Sequence, residues 1–164
     1  MRHSSIRASK EALFCIGSNC GDRKWYVANT LEWLNGFLLD FRHSSIYATP
    51  DCHGGQREYM NAVGIGKTYM DISELDEKCK KFELSLGRDV TARIVGDVPV
   101  DVDIVIYDGK VVRTKDYECD YFLIGYKEIS ELMSHEKHTH SATDIQFDER
   151  KEMSGTFYKH IGTT

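Results

Sequence analysis

Two hydrophobic periods alternate along this chain, and each change of period marks an element. Ala12-Leu13-Phe14-Cys15-Ile16 is an unbroken apolar run of strand length, closed by the turn-forming Gly17-Ser18-Asn19-Cys20-Gly21-Asp22. Asp22 is placed to cap a helix on which Trp25, Val27, Ala28, Leu31, Leu34 and Leu38 recur every three to four residues. Leu38 to Tyr47 reads as a second strand, ended by Thr49-Pro50 because the residue before a proline is driven to extended backbone. The polar, glycine-containing stretch Asp51 to Glu58 is the first candidate for a loop over a ligand. Tyr59, Asn61, Val63 and Ile65 then alternate with Met60, Ala62, Gly64 and Gly66, so an aromatic ring and an amide share one strand face. Asp71 or Ser73 opens a second helix with the stripe Leu75, Cys79, Phe82 and Leu86, and Gly87 stops it. Residues 88–97 are polar, and Tyr121 to Tyr126 is a last short apolar segment.

Between them lies the most informative stretch, Pro99-Val100-Asp101-Val102-Asp103-Ile104-Val105-Ile106-Tyr107-Asp108-Gly109. Its period is two, with Val100, Val102, Ile104 and Ile106 on one face, and an Asp-Gly turn returns the chain through Lys110-Val111-Val112. Asp101 and Asp103 share the other face, about 7 Å apart along the backbone at ~3.3 Å per residue. Carboxylates that close repel unless a cation lies between them, and hard oxygen ligands suit Mg²⁺ bound together with phosphates. A divalent-metal site is one reading of the pair; a solvated outer face of an edge strand is the other.

Strand, helix, two strands, helix, strand and hairpin in this order predict an α+β fold of the ferredoxin-like type, with helices packed on a largely antiparallel sheet. The expected organisation is a mobile leader over 1–11, one domain over 12–129 and an extension of unassigned structure over 130–164. The first turn lacks the GxGxxG spacing of a dinucleotide fold. His135, His138 and His140 match neither a HExxH helix nor a finger, and read as part of a polar tail.

Composition narrows the function classes. At 164 residues and 41% hydrophobic, the chain is large enough for one sizeable core. No apolar run approaches the ~20 residues of a membrane span, and the basic start is followed by no apolar block, so no membrane association and a cytoplasmic location are expected. Five cysteines without CxxC spacing read as reduced thiols. A net charge of −5 argues against a nucleic-acid partner but not against a nucleotide enzyme, since Mg²⁺ supplies positive charge.

Five stretches taken together resemble one family, the 6-hydroxymethyl-7,8-dihydropterin pyrophosphokinases of folate biosynthesis. They are Ile16-Gly17-Ser18-Asn19-Cys20-Gly21-Asp22-Arg23, Ser44-Ser45-Ile46-Tyr47-Ala48-Thr49-Pro50, Tyr59-Met60-Asn61-Ala62-Val63, Glu83 with Leu86-Gly87-Arg88, and Val100-Asp101-Val102-Asp103-Ile104, in the family's order. The resemblance implies ATP as co-substrate, two Mg²⁺ ions held by Asp101 and Asp103, and transfer of the β,γ-pyrophosphoryl group to the pterin hydroxymethyl oxygen with release of AMP. It implies that Asn61 bonds the pterin's amide edge, that Tyr59 and Tyr121 lie against its ring, and that Thr49 and Pro50 shape the pocket wall. Glu83, Arg88 and Arg93 fall to the nucleotide side, Arg88 steering phosphate as part of the catalytic set with Asp101 and Asp103. A monomer or weak dimer is expected.

The chain also departs from that family. Where members carry a Trp-Gly-Pro-Arg-Thr pattern this chain has Val95-Gly96-Asp97-Val98-Pro99, with Val98 at the arginine position. Where members carry a histidine-proline pair and a later arginine, it reads Arg113-Thr114 and Cys119-Asp120-Tyr121. Much of the phosphate clamp is thus absent, with Arg93, Arg113, Lys110 and Lys115 as substitutes. Two alternatives therefore stand beside the enzyme: a non-catalytic pterin-binding homologue, and an interaction domain that binds neither ligand.

Overall fold

The computed structural model describes residues 7–136. The chain divides into two units after Ile129, the described residues of the first being 7–129. In the first, the elements run β1 (Lys10–Ser18), α1 (Arg23–Asn35), β2 (Leu39–His43), β3 (Tyr47–Pro50), β4 (Glu58–Thr68), α2 (Ile72–Ser85), α3 (Val90–Val95), β5 (Asp101–Tyr107), β6 (Lys110–Val111) and α4 (Thr114–Tyr117). They close with α5 over residues 120–129. Of the second unit, residues 130–136 are described, and they are helical. His138, His140 and most of the predicted extension lie outside the described residues, as does the start of the predicted leader, while Lys10 and Glu11 already belong to β1.

The sheet runs β2-β4-β1-β5-β6, with β3 also paired to β4, and every pairing is antiparallel. This is the expected α+β arrangement. β1 lies between β4 and β5, so Ala12 to Ser18 are buried on both faces and read as a continuous apolar run rather than an alternation. One face of the sheet carries Phe14, Ile16, Ala62, Val102 and Ile104 against Val27, Leu31 and Leu34 of α1 and Leu75 and Cys79 of α2. Phe14 is completely buried there, and its truncation to Ala would cost about 3–5 kcal/mol. Asp71 caps α2 through a full capping box with Glu74.

The structure departs from the sequence pattern in three places. The single strand expected over 38–47 is two, because Ser44 interrupts it: its backbone N–H and its Oγ both bond Val63, and β3 then continues along β4 through Pro50. A β-bulge at Val105 leaves that residue without a partner on β1 and turns the next residues over, so Tyr107 rather than Ile106 joins the helix-side core. The polar stretch 88–97 contains α3, capped by Asp89 and stopped by Gly96 in the left-handed region (φ 76°). The Asp108-Gly109 turn has positive φ at both residues, the geometry that matches strand twist in a two-residue hairpin.

Candidate active site

Opposite the helix layer, the register of four strands assembles a cleft. Gly17 of β1 pairs with Asn61 of β4 and with Asp101 of β5, and Asn61 pairs in turn with Tyr47 of β3. The neighbouring row holds Val63, Cys15 and Asp103, and on the other side Thr49 faces Tyr59. Because side chains two apart on a strand share a face, these rows put an amide, an aromatic ring and two carboxylates on one surface. A cleft of about 170 Å³ results, walled by Thr49, Pro50, Tyr59, Asn61, Asp101, Asp103 and Tyr121 among others.

Gly17 is the floor. A Cβ there would lie 3.2 Å from Asn61 Oδ1 and 3.6 Å from the Tyr59 ring, so any side chain would occupy the space between amide and aromatic. Asn61 is buried and its Nδ2 donates to Thr49 Oγ1 at 2.8 Å, which fixes the amide and turns its Oδ1 toward Gly17. Tyr59 Oη accepts from Asn19 Nδ2 at 3.1 Å, and Asn19 also bonds Gly96 O and both backbone groups of Val98. Tyr121 is held from two sides: its hydroxyl donates to Asp116, and its carbonyl accepts from Tyr47 Oη at 2.6 Å. Asp116 also binds Arg113 Nε, so Arg113, Asp116 and Tyr121 form one chain of contacts at the cleft wall. Asp51, Cys52 and His53 of the polar loop complete the rim.

The acidic end is more crowded with charge than the sequence pattern showed. Asp101 is ion-paired with Arg88, whose Nη1 also bonds Val100 O and lies 3.4 Å from Glu83 Oε2. Asp103 Oδ1 lies 3.3 Å from Arg113 Nη1 and 3.4 Å from Lys80 Nζ. The pair is therefore neither bare nor a solvated outer face: the two side chains are 30% and 13% exposed, and three cations attend them. Burial, and then the charge of Asp101, push the Asp103 carboxyl up to about 7. Burial acts on Asp101 in the same direction, but Arg88 and Lys80 outweigh it and hold that carboxyl below its ordinary range.

Glu83 is not an exposed helix glutamate but fully buried, at 2%. β6 covers only Ile106 and Tyr107 of β5, which leaves the beginning of that strand an open edge. Glu83 Oε1 accepts from Val102 N–H at 2.8 Å, and Lys80 Nζ donates to Val102 O at 3.4 Å, so two α2 side chains take the place of a missing strand. Lys80 was missed in the sequence; its one signal is its place one turn before Glu83 on the same helix face. Arg93 is exposed on α3 and is not among the residues that wall the cleft. Val98, half-buried, offers the site no charge.

Whether the residues fit Mg²⁺ is decided by their donor set. Among the described residues no cluster of three or more His, Cys, Asp or Glu is arranged to hold a metal alone. Two aspartates supply two hard-oxygen positions and leave the rest to phosphate and water, the way Mg²⁺ is commonly held. Arg88 Nε is buried without a hydrogen-bond partner among the described residues, so the guanidinium beside the pair is not fully used by the protein. The residues fit a metal that arrives with a phosphorylated ligand.

Fold and site together define a small α+β protein whose antiparallel sheet carries a cleft with an aromatic-and-amide end and an acidic end. A sequence model of one family, 7,8-dihydro-6-hydroxymethylpterin-pyrophosphokinase (HPPK), matches residues 13–131, and the chain belongs to that family. It is similar to the 2-amino-4-hydroxy-6-hydroxymethyldihydropteridine pyrophosphokinase of Aquifex aeolicus, 35% identical over 61% of this chain and 62% of the relative. The protein of the same name from Bacillus subtilis is 30% identical over 63% of this chain and 64% of its own length. A folate synthesis bifunctional protein of Arabidopsis thaliana is 31% identical over 60% of this chain, in 21% of its length. The chain thus spans less than two thirds of each of these relatives.

Proposed function

We infer that this chain is an ATP-dependent pyrophosphokinase acting on 6-hydroxymethyl-7,8-dihydropterin in folate synthesis. The observation that carries the reading is the strand register that sets Asn61, Gly17 and Asp101 side by side, so that the cleft with its amide and aromatic rings adjoins an acidic pair. In the reaction the hydroxymethyl oxygen attacks the β-phosphorus of ATP. The bond from that phosphorus to the α–β bridging oxygen breaks, AMP leaves, and the hydroxyl proton passes to solvent. Asn61 Oδ1 and the Tyr59 and Tyr121 rings would bind and orient the pterin over Gly17, with Thr49 and Pro50 as the wall. Asp101 and Asp103 would hold Mg²⁺, two ions as the family resemblance implies, which when bound offsets phosphate charge and eases loss of the hydroxyl proton. Arg88 would steer phosphate from beside Asp101, and Glu83 acts through it and through the β5 edge rather than by touching substrate. Arg113, at the cleft wall, is the better placed of the substitute arginines; Arg93 would reach nucleotide only from the exposed side.

A second reading has two observations in its favour. Val98 stands where a phosphate-clamping arginine is expected, and each cation at the acidic end already has carboxylate partners. A pterin-binding homologue without turnover would look the same. Purified chain with hydroxymethyldihydropterin, ATP and Mg²⁺ should release AMP; ADP as the product would exclude pyrophosphoryl transfer, and pterin binding with no affinity for MgATP would establish the non-catalytic binder.

A further inference from the structure

α2 brings to the acidic end a cation whose position differs in kind from that of its neighbours. Lys80 Nζ lies 2.8 Å from Glu83 Oε1, 3.4 Å from Asp103 Oδ1 and 3.7 Å from Asp101 Oδ1. An ammonium among three carboxylates is held by summed charge, and a four-carbon stem can swing such a point charge over several ångströms. Its side chain is 38% exposed, so that movement is open to solvent. The two aspartate oxygens it faces are those a divalent cation would need. The other cations each face one aspartate, Arg88 pairing with Asp101 and Arg113 with Asp103, whereas Lys80, which also reaches Val102 O at 3.4 Å, faces both. Val98, in turn, has both backbone groups bonded to Asn19 and contributes no charge.

We propose that Lys80 is the movable cation of this site: its ammonium holds the Asp101/Asp103 pair in the metal-free chain, yields those oxygens to a divalent cation, and turns to the nucleotide phosphates, supplying charge where the chain has Val98. The proposal rests on the pyrophosphokinase reading and adds to it a residue and an order of events. A purely structural lysine would make metal and nucleotide binding fall together when removed. A lysine that competes with metal and then assists nucleotide makes them move in opposite directions.

The test is calorimetry on the full chain with Mn²⁺ alone, MgATP and pterin as separate ligands, for wild type, Lys80→Met and Lys80→Arg. In Lys80→Met, Mn²⁺ alone should bind several-fold more tightly, since a competing charge is gone. MgATP should bind about 10- to 100-fold more weakly, the worth of one charge-assisted contact. Pterin affinity should stay within about twofold, because Lys80 is not part of the cleft wall, and Lys80→Arg should recover most MgATP binding. Parallel losses for Mn²⁺ and MgATP, or no change in either, would overturn the assignment. Should Lys80→Met not fold, acetylation of the wild-type chain read by mass spectrometry decides: Lys80 should label faster with Mn²⁺ and slower with MgATP, and a rate indifferent to both overturns the proposal. A wild-type chain that neither binds MgATP nor forms AMP would overturn the pyrophosphokinase reading and this proposal together; one that does both leaves only Lys80 at issue.

Discussion

The two ends of the cleft are built by different physics. The aromatic-and-amide end is held mainly by hydrogen bonds within the protein: Asn61 is fixed by Thr49, Tyr59 by Asn19, and Tyr121 by Tyr47 and the Asp116 carboxylate. Its shape comes from strand register and one missing side chain, so a ligand enters a surface that needs no rearrangement, and little ordering cost is left to binding. The acidic end is satisfied largely by pairing of charge with charge, Asp101, Asp103 and Glu83 set against Lys80, Arg88 and Arg113, with bonds to the backbone of Val100 and Val102 besides. On the function proposed above, a metal and a triphosphate would have to replace those pairs with others of similar strength. Affinity at the first end should therefore follow shape, and at the second, the exchange of charges.

Neutralising either member of the acidic pair should separate the two ends most strongly. Asp101→Asn and Asp103→Asn should each lower AMP formation by about 10²–10⁴-fold, as loss of several kcal/mol of charge stabilisation requires, while pterin binding measured by calorimetry stays near wild type. Excess chelator should do the same to the wild-type chain. A variant that loses pterin affinity in step with activity would show that the two ends are one.

The same two variants should differ in stability. Asp103, raised to about 7 against 3.8 in the unfolded chain, keeps its proton in the folded state while the unfolded chain releases it. The resulting penalty is absent below about pH 4, grows up to pH 7 and is constant above. Metal-free Asp103→Asn should thus melt several degrees above wild type at pH 8 and show no gain at pH 4. Asp101 is held the other way by Arg88, and Asp101→Asn should cost about 1–3 kcal/mol by removing that arginine's nearest carboxylate. Thermal melts of both variants at the two pH values check the signs.

At the aromatic-and-amide end, Asn61→Ala should weaken pterin binding about 10- to 100-fold with MgATP affinity unchanged, the worth of roughly 1–3 kcal/mol in hydrogen bonds to a buried amide. Gly17→Ala sharpens the point, since its Cβ would press on Asn61 Oδ1 at 3.2 Å without any backbone strain. Pterin affinity should fall about tenfold for a methyl group intruding on the floor, with melting nearly unchanged. Smallest is Tyr121→Phe, which keeps the ring and loses the bond to Asp116; a change of a few-fold in pterin affinity is expected, and titration of the variant checks it.

Much of this molecule follows from local pattern. The unbroken run from Ala12 required a strand buried on both faces, the alternation from Val100 put Asp101 and Asp103 on one side, and Asp108-Gly109 specified its turn. Helices were legible where the stripe was long, as in α2, and were lost where they were short or late. α3 had its Asp89 cap and Gly96 stop but no buried residue, and α5 buries Phe122, Gly125 and Ile129 at helical spacing where the sequence reads only as a short apolar segment, Tyr121 to Tyr126.

What tertiary structure alone decided is who meets whom. Periodicity tells a residue which face it is on, but it carries no information about the strand that will lie beside it or the shift in register between them. The row from Asn61 through Gly17 to Asp101 exists only because three strands pair in one alignment, and the bulge at Val105 follows from that pairing, not from the composition of β5. Tyr47 reaches Tyr121 across 74 residues of sequence, and Lys80 reaches Asp103 across 23. An open strand edge was the reason for the second contact: unpaired backbone groups on β5 needed partners, the α2 helix supplied Glu83 and Lys80, and a surface-looking lysine was thereby carried to the acidic pair.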